Sequence, residues 1–209
     1  MNLDTPHLIA IAAALGWASG LRLYAVVFLT GLAGRLGLVA LPPGLHGLQQ
    51  PLVLWASGAM LVIEFVVDKV PWLDSLWDAV HTVVRIPAGA LLAASVFGGD
   101  NESWAIVAGL LGGTLAATSH AAKATTRAAV NTSPEPFSNI ALSLSGDAAV
   151  PTMLWLSWDH PWAFFALLVV TLAAMVALTT RLFRFVRGTF AQLRRRRGVP
   201  PAPSATHDR

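Results

Sequence analysis

Asp74, Asp78, His81 and Arg85 stand at i, i+4, i+7 and i+11. On a helix turning roughly 100° per residue they share one stripe about 60° wide. Glu64 and Asp68, at i and i+4, share a face of the segment just before. Carboxylates gathered this way can hold a proton, a cation or a divalent metal. They can also do nothing but neutralise Arg85 and Lys69. Asp68, Lys69 and Asp74 are expected at the membrane boundary, in contact with solvent. Glu64, Asp78 and His81 lie deeper, as candidate proton carriers. A second stripe, His120, Lys123, Arg127 and Asn131, offers cations and an amide opposite that acidic cluster. It suggests either mutual pairing or a route for an anion, although Lys123 and Arg127 can also reach outward to headgroups. Arg22 and Asp147 complete the set, each inside an otherwise apolar run where a lone charge is costly.

The elements that carry these residues are membrane helices. The chain has 209 residues, of which 55% are hydrophobic and 12% charged, and its mean hydropathy is +0.62. Soluble domains carry about twice that share of charge. A pI near 10.2 invites a nucleic-acid reading. That reading fails on location, because Arg181, Arg184, Arg187, Arg194 to Arg197 and Arg209 are all terminal, and the remainder is net acidic. The chain has no cysteine, which excludes disulfides and thiolate chemistry. Met1 to His7 lacks a basic n-region, so the first apolar run is expected to stay as a helix rather than be cleaved.

Six spans of roughly 20 residues can be drawn: 8–34, 51–67, 73–97, 104–130, 138–157 and 162–183. The Arg-rich flank of the last span predicts a cytoplasmic C-terminus, and an even number of spans then predicts a cytoplasmic N-terminus. Lys69, Lys123 and Arg127 fall near the same face, and Arg35 alone falls outside. The expected fold is all-α and integral to the membrane, as a 3+3 inverted-topology repeat. Residues 1–98 and 99–190 form its two halves, and 191–209 a disordered basic tail. Asp68-Lys69-Val70-Pro71-Trp72 beside Asp159-His160-Pro161-Trp162 carries the repeat signal. Inverted repeats suit alternating access about a midplane site. Depth along the helices predicts a layer of Arg22, Asp147 and Arg85 there, with Ser19, Gly20, Gly112, Gly113, Ser143, Ser145 and Gly146 allowing close approach. The Pro-rich link 131–139 is a candidate for re-entering the membrane.

Ala-Ser-Gly-Leu-Arg at 18–22, Glu64 followed by Pro71, Asp74 and Asp78, and then Ala88-Gly89 carry a family resemblance. The chain resembles an uncharacterised family of bacterial integral membrane proteins, catalogued as domain of unknown function 4126. The resemblance implies a multi-pass protein of the bacterial plasma (inner) membrane and no particular activity. It also implies an acidic residue in the fifth helix after an Asn-Pro turn. Asp147 and the Ser138-Asn139 stretch are the nearest match, without Asn-Pro itself.

Three functions compete. In the first, the protein is a proton-coupled transporter or flippase for a small anionic solute or a phosphate-bearing lipid headgroup. Arg22, Arg85, His120, Lys123, Arg127 and Asn131 bind the substrate, Glu64, Asp78, His81 and Asp147 move protons, and no cofactor is needed. In the second, Asp74-x-x-x-Asp78 belongs to a metal-dependent phosphotransferase, although the rest of such a signature is missing. In the third, a scaffold subunit pairs its charges only with one another. The lipid bilayer is a partner under all three, nucleic acid under none, and a homo-oligomer is compatible with each.

Overall fold

The computed structural model describes residues 3–70, 72–98, 101–131 and 137–196, with side chains up to residue 184 except that of Asn139. Among these residues every regular element is helical: α1 (Thr5–Arg35), a short 3₁₀ segment (Pro43–Gln49), α2 (Pro51–Val67), α3 (Leu73–Ser95), α4 (Glu102–Val130), α5 (Phe137–Asp159) and α6 (Pro161–Arg196). Four helices are long and apolar enough to cross a membrane: α1, α4, α5 and α6. The 3₁₀ segment with α2 makes a fifth candidate, bent by 69°. The stripe of Asp74, Asp78 and Arg85 gives α3 a high charge content for a span, although it packs extensively along α4. The protein is thus an all-helical, multi-pass membrane protein.

Asp4 caps α1 by accepting from the backbone N–H of His7 at 3.1 Å. The His7 hydrogen bond also holds the Asp4 carboxyl below its usual range. The helix does not run straight. At Arg22 the backbone leaves helical geometry (φ −148°, ψ 80°), and packing on either side of this break shows that the chain turns back. Gly16 lies against Gly112, and Gly89 meets the carbonyl of Gly16. Gly31 lies against Leu48, while Gly44 lies against Ser95. The four-residue step from Gly44 to Leu48 reaches at most about 14 Å. A straight α1 would carry Gly31 about 22 Å beyond Gly16, away from the Ser95 end of α3. Both ends of α1 therefore lie on one side of the bundle. Trp158 at the end of α5 donates to Ala40 O there at 3.2 Å, and Asp4 and His7 share a depression with Asp159 and His160.

The span expected over 8–34 is thus a helical hairpin with Arg22 at its tip. Its sequence is apolar all round, so apolar periodicity holds no trace of the reversal; nearly all of residues 10–23 are buried. In the expected repeat this hairpin corresponds to α4, which runs unbroken and packs on α3 and α1. The expected disordered tail from residue 191 is helical as far as Arg196. The rest of that tail lies outside the described residues, as does the core of the expected re-entrant link, 132–136.

Close approach comes from glycine at the α1–α3–α4 contact. A Cβ on Gly16 would sit 2.5 Å from Gly112 Cα, and one on Gly20 would sit 2.2 Å from Ala116 O. Both obstacles are backbone, so a methyl must push the helices apart. Gly20→Ala is expected to cost about 1–3 kcal/mol. Gly109→Ala, whose Cβ would meet Ala94 at 3.4 Å, should be neutral or stabilising by up to about 1 kcal/mol. Thermal midpoints of the two purified variants check this, and equal losses would refute it.

Candidate functional site

Five carboxylates, Glu64, Asp68, Asp74, Asp78 and Asp147, meet five cations, Arg22, Lys69, Arg85, Lys123 and Arg127, in one connected network. It is assembled around the tip of the α1 hairpin. Asp68, at the end of α2, is its hub. One carboxylate oxygen lies 3.1 Å from Arg22, 3.2 Å from Lys123 and 3.2 Å from Arg127. Arg22 also reaches Asp147 at 3.0 Å and donates to the Ser143 hydroxyl at 2.9 Å, which ties α5 to the tip. Lys69 approaches Asp147 at 3.7 Å.

Arg85 joins α3 to α2 through Glu64 at 2.6 Å and holds Asp78 on its own helix. Arg127 binds Asp74 at 2.6 Å, and Asn131 donates to the other Asp74 oxygen at 3.1 Å. Lys123 sits 3.2 Å from Asp78 and donates to the Leu21 carbonyl at 3.0 Å. That carbonyl lies just before the break in α1. Ser119 likewise donates to Trp17 O at 2.7 Å. Breaking a helix inside a membrane strands backbone carbonyls at the break, and Lys123 of α4 supplies a donor for that of Leu21.

Several expectations change here. Arg22 and Asp147 do pair, but Arg85 stays with Glu64 and Asp78, one helix pair away, so the expected three-residue layer is not formed. Asp68 and Asp74 are fully buried instead of lying at a solvated boundary. The turn after α2 folds inward, where Asp68 and Asp74 meet Arg22, Lys123 and Arg127; buried charges need such partners. Lys123 and Arg127 point inward for the same reason and do not snorkel, being 9% and 1% exposed.

The histidines stand apart from this network. His81 stacks on Trp77, with ring centroids 4.0 Å apart, and lies 3.2 Å from the Tyr24 hydroxyl. His120 Nε2 lies 2.7 Å from Thr82 Oγ1. Asp74 and Asp78, the pair that suggests a metal, each face a guanidinium. Among the described residues no group of three or more His, Asp or Glu side chains is arranged to hold a metal ion. Asp68 is the member of the site that sequence reasoning undervalued. Its i+4 spacing from Glu64 carried the signal.

Beside the hub lies a partly open cavity of about 510 Å³. Arg22, Asp68, Lys123 and Arg127 form its buried floor. Its walls are α5 and α6, with Met153, Leu167, Met175 and Leu178 among the apolar lining. The gap exists because α5 rests on α1 while α6 rests on α4, and the two touch each other less. Small-molecule sites have volumes of this order. Arg22 Nη1 is buried and has no hydrogen-bond partner, while Nη2 faces Asp68, Asp147 and Ser143.

A family model described as "Domain of unknown function (DUF4126)" matches residues 9–181. No curated protein and no solved structure matches the chain. With the hairpin tip, the charge network and the cavity all falling inside the matched region, the chain belongs to the DUF4126 family.

Proposed function

We propose that this protein is a proton-coupled transporter or flippase for a small anionic or phosphate-bearing substrate. The observation that carries the reading is the cavity whose buried floor presents Arg22, Lys123 and Arg127 at the tip of a broken helix. Discontinuous helices in membranes supply polar groups at depth where a continuous helix cannot. Glu64 is the leading proton carrier. It is fully buried, Arg85 takes one of its oxygens, and Oε2 has no partner, so a proton can arrive there without displacing Arg85. Asp78 and Asp147 are further carriers, since both border the same cations. His81, off the network, is a weaker one. Arg85, His120 and Asn131 serve the substrate by holding the acids and Thr82 in place.

The scaffold reading has its own support, because five acids balance five cations. Flux separates the two. In proteoliposomes with a lumenal pH dye, inorganic phosphate or a short-chain phosphatidate should drive a pH change with wild type, and Glu64→Gln should lose it. If neither protons nor anions move and Glu64→Gln behaves like wild type, the network is a scaffold and the transport reading fails.

The hairpin also supports a membrane orientation for this reading. The Asp4 end of α1, the 36–50 connection and the α5–α6 turn share one face, while α6 ends on the other. Lys69, Lys123, Arg127, Arg181 and Arg184 gather toward that second face, which the positive-inside rule makes cytoplasmic. We propose five passes plus a re-entrant hairpin, where the sequence predicts six passes with both termini inside. Because the chain has no cysteine, single substitutions report cleanly. Asn2→Cys and Gly47→Cys should react with an impermeant maleimide from outside, and Ser204→Cys only after the membrane is opened. Equal protection of Asn2→Cys and Ser204→Cys would restore the six-pass arrangement.

A further inference from the structure

The cavity beside the hub differs in kind from the ion network it touches. Its floor is charged and its walls are not. Floor residues Arg22, Lys123 and Arg127 outnumber the single floor carboxylate, Asp68. Arg22 Nη1, on a side chain 2% exposed, keeps its donors unused. A Cβ on Gly146 would be 3.5 Å from Arg22 Nε, so no side chain from α5 covers the guanidinium at that point. Moving outward, the lining becomes apolar and then exposed: Met153 is buried, Met175 half-buried, and Leu167 and Leu178 exposed on α6. The rim thus faces the bilayer between α5 and α6, rather than an aqueous end of the bundle.

A free inorganic anion uses only the floor. It would also have to cross an apolar rim to reach it. A molecule with an anionic head and a hydrocarbon chain matches both parts, the head on Arg22 and the chain along α5 and α6. Guanidinium is the group of choice for a phosphate oxygen because its donors are planar and paired.

Resting on the transport reading above, we infer that the substrate is a membrane amphiphile bearing a phosphate, which enters sideways between α5 and α6 and sets its phosphate against Arg22. Arg22 is then the specificity-determining residue, and the apolar walls select for the chain.

The test uses the full chain in an uncharged maltoside detergent and three probes: dihexanoyl phosphatidic acid, dihexanoylglycerol and inorganic phosphate. The phosphatidic acid should raise the thermal midpoint by about 4 °C or more at saturation, and the other two by much less. Thr171→Trp fills the cavity from α6, where Thr171 is half-buried and bonded only along its own helix. It should fold like wild type and lose the response. Arg22→Lys keeps a cation for Asp68 and Asp147 but removes the spare Nη1 donors, so the apparent affinity should fall by about tenfold.

An equal rise with inorganic phosphate alone would overturn the amphiphile inference and leave a small-anion carrier standing. An equal rise with dihexanoylglycerol would overturn the role of Arg22. No rise with any probe, or an unchanged rise in Thr171→Trp, would overturn the inference altogether. The flux assay would then judge the transport reading separately.

Discussion

Asp68→Ala is expected to yield little or no folded protein. Asp68 is fully buried and one of its oxygens serves Arg22, Lys123 and Arg127 together. Truncating it leaves three buried cations short of a partner on the floor of the cavity. Removing one member of a buried ion pair costs about 3–5 kcal/mol, and here three pairs share the member removed. Asp68→Asn keeps the shape and an acceptor oxygen, so it should fall between Ala and wild type. Asp159→Asn is the control, since that side chain is 38% exposed and its ion partner is the exposed His160. It should leave stability unchanged, as exposed pairs contribute little. Size-exclusion profiles and thermal midpoints in detergent read all three. The hub assignment also requires non-additivity. Asp68→Asn with Arg22→Gln should lose less than the sum of the two single losses, by about 0.5–3 kcal/mol. Strict additivity would sink it.

The second large effect is at Arg85. This side chain is fully buried and links α3 to α2 through Glu64, while holding Asp78. Asp78 has further partners in Lys123 and Arg127; among the described residues, the one cation within ion-pair distance of Glu64 is Arg85. Arg85→Leu should therefore be destabilising by about 3–5 kcal/mol, chiefly through the stranded Glu64. Adding Glu64→Leu should recover a substantial part of that loss, because an apolar pair can replace a buried ion pair at little cost. A double variant as unstable as the sum of the singles would show that Arg85 acts mainly through Asp78. Glu64→Gln is the informative contrast. It keeps an oxygen for Arg85 but cannot exchange a proton, so it should fold near wild type and lose proton-linked flux. Loss of folding in Glu64→Gln would mean that the negative charge itself holds α2 to α3, and would move Glu64 from transport to architecture.

The amino-acid sequence by itself determined the class of the protein and most of its participants. Hydropathy marked the apolar segments, and turn residues such as Gly98 and Pro161 marked where they end, because both signals are local. The 3.6-residue period put Asp74, Asp78 and Arg85 on one face and Lys123, Arg127 and Asn131 on another, and in the structure those faces meet. Helix faces survive tertiary packing, so residues on one stripe stay together.

Depth and direction do not survive in the same way. Counting residues inward from the ends of a straight α1 put Arg22 near mid-membrane, beside Arg85. Only the tertiary structure showed that the chain turns back there. An apolar run reads the same whether it crosses the bilayer or returns, and the Leu21 carbonyl at the break accepts from Lys123, about a hundred positions away. For the same reason Asp68 looked like a boundary residue. Its burial depends on three cations brought from α1 and α4, and the free energy of that meeting belongs to no single segment. The cavity is likewise a product of packing alone, formed because α5 leans on α1, α6 leans on α4, and the space between them over Arg22 is left unfilled.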